Sequence, residues 1–166
     1  MICNIHKFRE KLAAGELCLG PGVTFFDPSV TEGIAPSSDF VWIDLEHNPT
    51  SLESLLSHLI AARAGGVAAL VRVPSLDIAW TKRVLDTGAE GVILPRSTSV
   101  EEVQQFVDAC RYPNLGTRGF GPRRPTHYAR FGGNEYLQHA NEQIFVVAQI
   151  ETVEALEQLD QIVAIP

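Results

Sequence analysis

The chain has 166 residues, 45% of them apolar and 20% charged, with a formal net charge of −7. This is enough for one compact domain with a sizeable core, and the balance excludes a disordered or collagenous chain. Scattered Lys and Arg in an acidic chain argue against a nucleic-acid partner, and no apolar run approaches the roughly 20 residues needed to cross a membrane.

The first segment, "MICNIHKFREKLAAGE", mixes charge into an amphipathic helical pattern, unlike the apolar block of a secretory signal. Five apolar runs then read as buried strands: "VTFF" (23–26), "FVWID" (40–44), "VAALVRV" (67–73), "GVILP" (91–95) and "IFVVAQIE" (144–151). Runs without polar alternation suit parallel strands covered on both faces. "DPSVTEGIAPSS", after the first strand, has room for one short helix.

A helix signal follows each later strand. "SLESLLSHLIAARAG" carries Leu52, Leu55, Leu56, Leu59 and Ile60 on one stripe, with Thr50 and Glu53 as a capping box and Gly65 at its end. "SLDIAWTKRVLDTG" offers Ser75 as cap, with Trp80, Val84 and Leu85 on one side. "SVEEVQQFVDAC" pairs Ser99 with Glu102 and aligns Val100, Val103, Phe106, Val107 and Cys110. "TVEALEQLDQIV" aligns Val153, Leu156, Leu159 and Val163 behind a Thr152 cap. The stretch 111–143 is too long for an ordinary connection, and "NEYLQHAN" within it reads as a short helix.

Alternating β and α elements imply a parallel sheet with right-handed crossovers, either an open doubly wound sheet or a β/α barrel. Neither a GxGxxG after a strand nor a Walker A motif is present. Cys3, Cys18 and Cys110 are widely spaced, odd in number and without a CxxC pair, which reads as reduced thiols of a cytoplasmic protein.

Reactive groups in parallel β/α proteins gather at the carboxyl ends of strands. Asp44, Glu46 and His47 follow the second run, Arg72 lies near the end of the third, and Gln149 and Glu151 end the fifth, two apart and so on one face. Each has a bland alternative. His47 suits a loop histidine bonded to a helix start, Arg72 a buried ion-pair partner, and Glu151 a favourable charge at the next helix's N-terminus. Three strand ends carrying such groups together is the informative pattern.

"FVWIDLEHNP", "LVRVP", "TKRVLDTGAEGVILP", "GTRGFGPRR" and "VVAQIET" occur in an order that resembles the class II, metal-dependent pyruvate aldolases. These are the 4-hydroxy-2-oxoheptanedioate aldolase (HpcH/HpaI-type) family and its relatives acting on sugar-derived 2-keto-3-deoxy acids. The resemblance implies a TIM-type (β/α)8 barrel of the phosphoenolpyruvate/pyruvate kind, with residues 1–166 forming a single partial domain of five βα units. It implies retro-aldol cleavage of a 4-hydroxy-2-keto acid to pyruvate and an aldehyde, with a divalent cation, Mg or Mn with Co as an alternative, as cofactor. His47 would then be the general base and Arg72 the stabiliser of the enolate. Asp86 would be the acid that raises the histidine's basicity, with Asp44 a further candidate for orienting the ring. Gln149 would be a substrate-binding amide, Glu151 a metal carboxylate, and Arg123 and Arg124 contacts to the distal end of substrate.

The residue chemistry agrees with that implication. A carboxylate suits a hard cation, an imidazole exchanges protons near neutral pH, and a guanidinium offsets charge on an enolate oxygen. No lysine sits at a matching strand end, which argues against a Schiff-base aldolase. A closed barrel of this class takes about 250 residues and eight strands, so the chain reads as truncated at its C-terminus, with a homo-oligomer expected for the complete form. Two alternatives stay open: an inactive homologue or interaction partner of an intact paralogue, and a CoA-thioester lyase of the same superfamily.

Overall fold

The computed structural model describes residues 4–166, so the reading of Cys3 as a reduced thiol lies outside the described residues. Cys18 and Cys110 are free thiols. In chain order the elements are α1 (Ile5–Ala13), β1 (Gly22–Val23), α2 (Pro28–Ile34), β2 (Phe40–Asp44), α3 (Leu52–Ala64), β3 (Ala68–Arg72) and α4 (Ile78–Thr87). They continue with β4 (Gly91–Leu94), α5 (Val100–Cys110), α6 (Gly133–Gln143), β5 (Phe145–Ala148), α7 (Val153–Glu157) and α8 (Leu159–Val163). The five strands are all parallel and pair in the order β1-β2-β3-β4-β5. A doubly wound sheet reverses its strand order at a switch point, and nothing reverses here. Sequential order with helical crossovers is the arc of a β/α barrel.

Alternation along each strand separates the two faces. Val41, Ile43, Ala69, Val71, Val92 and Leu94 point outward and pack with Leu55, Leu59, Val84, Leu85, Val103 and Phe106 of α3, α4 and α5. Phe40, Trp42, Ala68, Leu70, Ile93 and Phe145 point inward, where Ile5 and Phe8 of α1 complete a smaller cluster. The Phe8 ring lies 4.9 Å from that of Phe40 and 5.2 Å from that of Phe145. Helix α1 therefore plugs the amino-terminal end of the strands.

The strands are shorter than the apolar runs that announce them. In the first run only Val23 joins the sheet, and Phe25 and Phe26 are exposed. Asp27 caps α2 by accepting the Ser29 N–H at 2.9 Å, with Pro28 at the first helical position, so the chain turns off the sheet after Phe26. Two caps also move from their expected residues. Ser51 rather than Thr50 opens α3, and Asp77 rather than Ser75 opens α4. Ser99 and Thr152 cap α5 and α7 as expected, but Glu102 bonds Thr98 instead of closing the box onto Ser99.

The last helical pattern is corrected most. It divides into α7 and α8 at Gln158, whose amide bonds to Val100, Thr98 and Glu154. The expected stripe residues Val153, Leu156 and Val163 are exposed, and Ala155 and Ile162 meet the core instead. On α3, Ile60 is likewise exposed. The long connection does contain the expected helix, α6, longer than the eight residues of "NEYLQHAN".

If the α1 plug is structural, Phe8→Ala should lower unfolding stability by about 3–5 kcal/mol, the usual cost of emptying an aromatic core site. Phe25→Ala, at an exposed position, should stay within roughly 0.5 kcal/mol of the parent. Urea unfolding followed by circular dichroism reads both, and equal effects would refute the assignment of Phe8 to the core.

Candidate active site

The inward alternation that carries Phe40 and Trp42 ends at Asp44, and the one that carries Ala68 and Leu70 ends at Arg72. These two residues are register partners in the β2–β3 ladder, so their side chains emerge side by side at the carboxyl rim. Arg72 Nε donates to Asp44 Oδ1 at 2.9 Å and Nη2 donates to Oδ2 at 2.8 Å, a bidentate fork. Its Nη1 lies 3.2 Å from Glu46 Oε2. Beneath it the indole of Trp42 sits 4.8 Å from the guanidinium carbon. Only 12% of the Arg72 side chain and 4% of that of Asp44 are exposed, so the pair is desolvated.

Burial pushes the Asp44 carboxyl up, but the bonds from Arg72 and from the Glu46 and His47 N–H groups outweigh it. They hold the carboxyl below the ordinary carboxylate range. The bonds to Asp44 raise the Arg72 pKa against the effect of burial, and the charges of Asp44, Glu46 and Glu151 add to the rise. Arg72 is therefore a fixed cation. A guanidinium has five N–H donors, and two of them are spent on Asp44. Asn48 Nδ2 donates to Asp44 Oδ2 at 2.9 Å and completes the carboxylate's fixation.

His47 stands at the edge of this group. Its ring is 71% exposed, with Nε2 3.5 Å from Glu46 Oε2. Asp44 meets the His47 backbone N–H, not the ring, and Glu46 is the carboxylate at ion-pair distance from the ring. That Glu46 oxygen is buried and has no hydrogen-bond partner, lying at ion-pair distance from both Arg72 and His47.

Across the rim, β5 continues past its last strand residue. The Gln149 N–H donates to the Leu94 carbonyl at 2.9 Å, and its side-chain Oε1 is buried without a partner. Glu151, exposed, accepts the Arg96 N–H at 2.7 Å on Oε1. Arg96 reaches this bond with φ at 49°, a left-handed backbone that is uncommon outside glycine. Glu151 is close enough to Arg72 for its charge to be felt there.

Asp86 is placed elsewhere within the chain. It lies in the last turn of α4, a helix that runs back from the carboxyl rim, and it pairs with Arg118 Nη2 at 3.0 Å. The structure therefore does not bring Asp86 to His47. Arg124 is also corrected: it donates to the carbonyls of Thr87 and Leu59, near the C-terminal ends of α4 and α3, away from the rim. Arg123 is exposed beside it. Sequence reasoning missed Trp42 and the role of Glu46. Trp42 was hidden in an apolar run, although its alternation with Asp44 carried the signal.

Among the described residues no three His, Cys, Asp or Glu side chains are grouped to hold a metal ion. The donor set still fits a hard cation in part. Glu151 supplies a carboxylate and Gln149 an unpartnered amide oxygen two residues away, and Mg²⁺ is commonly held by one or two carboxylates plus substrate and water. Asp44, Glu46 and Glu151 surround a single guanidinium, leaving two formal negative charges that a divalent cation would balance.

Parallel strands in sequential order, with ionisable groups at their carboxyl rim, define a partial β/α barrel. The chain belongs to the HpcH/HpaI aldolase/citrate lyase family, whose model matches residues 27–166. It is 37% identical over 163 residues to a hydroxypyruvate/pyruvate aldolase of Roseovarius nubinhibens, covering 96% of this chain and 63% of the relative. It is 35% identical over 164 residues to a 4-hydroxy-2-oxovalerate aldolase of Novosphingobium aromaticivorans, covering 97% and 62%. The crystal structure of an HpcH/HpaI aldolase from Desulfitobacterium hafniense superimposes with a TM-score of 0.84 at 33% identity, covering 95% of this chain and 61% of that one. The chain thus spans about three-fifths of the length of these relatives.

Because the folded-state Asp44 carboxyl titrates below its unfolded range, its contribution is present above about pH 4 and lost as pH falls through the folded value. Asp44→Asn should cost about 3–5 kcal/mol at neutral pH by leaving Arg72 poorly paired. The gap between parent and variant should narrow below about pH 4. Urea titrations at neutral and acid pH measure this, and a gap that does not change with pH would contradict it.

Proposed function

We propose that this chain carries the carboxyl-rim machinery of a carbon–carbon lyase that cleaves a 4-hydroxy-2-keto acid to pyruvate and an aldehyde. The observation that carries the reading is Arg72, a buried guanidinium locked by Asp44 and Glu46 with donors to spare, on the same inner face as Gln149 and Glu151. Two of the relatives bear names of pyruvate-type and 4-hydroxy-2-oxoacid aldolases, in keeping with this substrate class.

In the cleavage, His47 accepts the proton of the 4-hydroxyl. The C3–C4 bond breaks, the aldehyde forms at C4, and the released electron pair forms the C2–C3 double bond of an enolate whose charge lies on the former keto oxygen. Arg72 stabilises that oxygen with N–H groups already oriented, so little reorganisation accompanies charge development. His47, exposed on the solvent side and beside Glu46, is placed to exchange its proton with water or return it to C3 of the enolate. Gln149 orients the keto acid by its amide. A divalent cation, when held by Glu151 and the Gln149 oxygen, supplies Lewis-acid polarisation of the 2-keto group.

The pairing of Asp44 with Arg72 matters to this role. An unpinned arginine would spread over several rotamers and lose much of the advantage of fixed geometry. Glu46 adds a second anchor on Nη1.

Pyruvate release from 4-hydroxy-2-oxopentanoate with added Mn²⁺ tests the reading. Arg72→Ala should lower kcat by about 10²–10³-fold, as removal of an oxyanion donor does. His47→Ala should lower it by about 10²–10⁴-fold. Glu151→Gln should weaken Mn²⁺ binding measured directly by electron paramagnetic resonance. Parent-like turnover in Arg72→Ala, or unchanged Mn²⁺ binding in Glu151→Gln, would remove the corresponding assignment.

A further inference from the structure

We propose that Glu46 is the positioning residue for His47. Its carboxylate holds the imidazole Nε2–H, leaves Nδ1 as the atom that takes the 4-hydroxyl proton, and stabilises the imidazolium that results. The identity of that proton rests on the lyase reading above, and the pair itself rests on geometry.

A short turn builds the pair. Asp44 Oδ1 accepts the Glu46 N–H at 3.0 Å and meets the His47 N–H at 3.5 Å, so one carboxylate fixes the backbone of both residues. From there the side chains part: that of Glu46 is 10% exposed and that of His47 71%. Glu46 Oε2 still reaches His47 Nε2 at 3.5 Å. Among the described residues it is the one carboxylate at ion-pair distance from that ring. Asp86, the acid expected there, is held by Arg118.

Charge supplies the second line of argument. Arg72 forms its bidentate fork with Asp44 and lies 3.2 Å from Glu46. One guanidinium thus faces two largely buried carboxylates, and the group carries a surplus negative charge. Asp44 is spent on Arg72, Asn48 and the turn. Glu151, the other acid whose charge reaches Arg72, is exposed and accepts the Arg96 N–H. The surplus therefore sits on Glu46, whose Oε2 is buried without a hydrogen-bond partner among the described residues. A buried acceptor left without a donor is costly, and a carboxylate binds a charged N–H more strongly than a neutral one. The adjacent imidazole is the group able to gain a proton near neutral pH.

In the cleavage step Nδ1 takes the hydroxyl proton as the C3–C4 bond breaks, so the ring gains one positive charge. The electron pair of that bond passes to the enolate, whose oxygen gains the matching negative charge beside Arg72. Glu46 stays ionised throughout. Each end of the charge separation then meets a fixed group of opposite sign, the imidazolium against Glu46 and the enolate against Arg72. The carboxylate of a serine-protease triad acts on its histidine in the same manner.

The test is carbethoxylation of the chain by diethylpyrocarbonate at about pH 6, where an imidazole is partly protonated, mapped by mass spectrometry and set beside turnover. The reagent attacks neutral imidazole, and His47 is already accessible, so its rate reports the charge of the ring and not its exposure. Glu46→Gln keeps the size and removes the charge. His47 should then react about 3–10-fold faster, the worth of a unit charge at this distance in water-like surroundings. The exposed His6 is the reference and should keep its rate. Glu46→Asp, which keeps the charge but draws it back by one methylene, should give a smaller rise, and it keeps the test decisive if Glu46→Gln fails to fold. In pyruvate release Glu46→Gln should lower kcat about 10-fold with KM changed less than about 3-fold. That loss should vanish when His47→Ala is already present. An unchanged rate at His47 in both variants overturns the proposal. So does a kcat loss that persists in full beside His47→Ala, since such a loss belongs to the anchoring of Arg72. The reagent rate needs no turnover, so an inactive parent chain counts against the lyase reading alone.

Discussion

The buried fork between Arg72 and Asp44 is the interaction on which the candidate site rests, and it is set by strand register. The two residues face each other across the β2–β3 ladder because Val41 pairs with Ala69 and Ile43 with Val71, all four on the outer, helix-covered face. A slip of one residue between the strands would send one of the two charges into the apolar layer. The hydrophobic pattern that excludes such a slip therefore also places the guanidinium. Desolvation makes the pair costly to break and gives it one geometry, which suits a group meant to meet charge at a fixed point.

The remaining parts of the rim depend on that pair in different ways. Glu46 gains its position from the turn that Asp44 organises, since the Glu46 N–H donates to Asp44 Oδ1 at 3.0 Å. The same turn sets His47 at the outer edge, accessible to water. Gln149 and Glu151 belong to a separate strand and are joined to the group through electrostatics, with Glu151 tied back by the Arg96 N–H. Two carboxylates and an arginine form a rigid centre, and a second carboxylate system approaches it from across the inner face.

Much of this was legible in the residues. Apolar runs announced all five strands, and polar groups at their ends marked the candidate rim, because burial and alternation are local properties of sequence. Sequential strand order was not legible, since doubly wound and barrel topologies share the same βα rhythm. The partners of individual charges were also hidden. Asp86 and Arg124 lie close in sequence to motifs of the rim, yet the direction of α4 carries Asp86 to Arg118, and the turn that holds Arg124 brings it to the carbonyls of Thr87 and Leu59. Stripes misled where a helix broke. Gln158 turns its amide into neighbouring backbone, and the residues expected to be buried on a single helix, Val153, Leu156 and Val163, face solvent on two short ones.

The indole beneath Arg72 has an optical consequence. The chain has two tryptophans, Trp42 under the buried guanidinium and Trp80 with Arg83 5.5 Å above its ring. A cation in contact with an excited indole shifts its emission, so Trp42 is a built-in fluorophore for the rim. Any occupant that draws Arg72 away from it changes the emission, and a Trp80→Phe background isolates that signal without an added label.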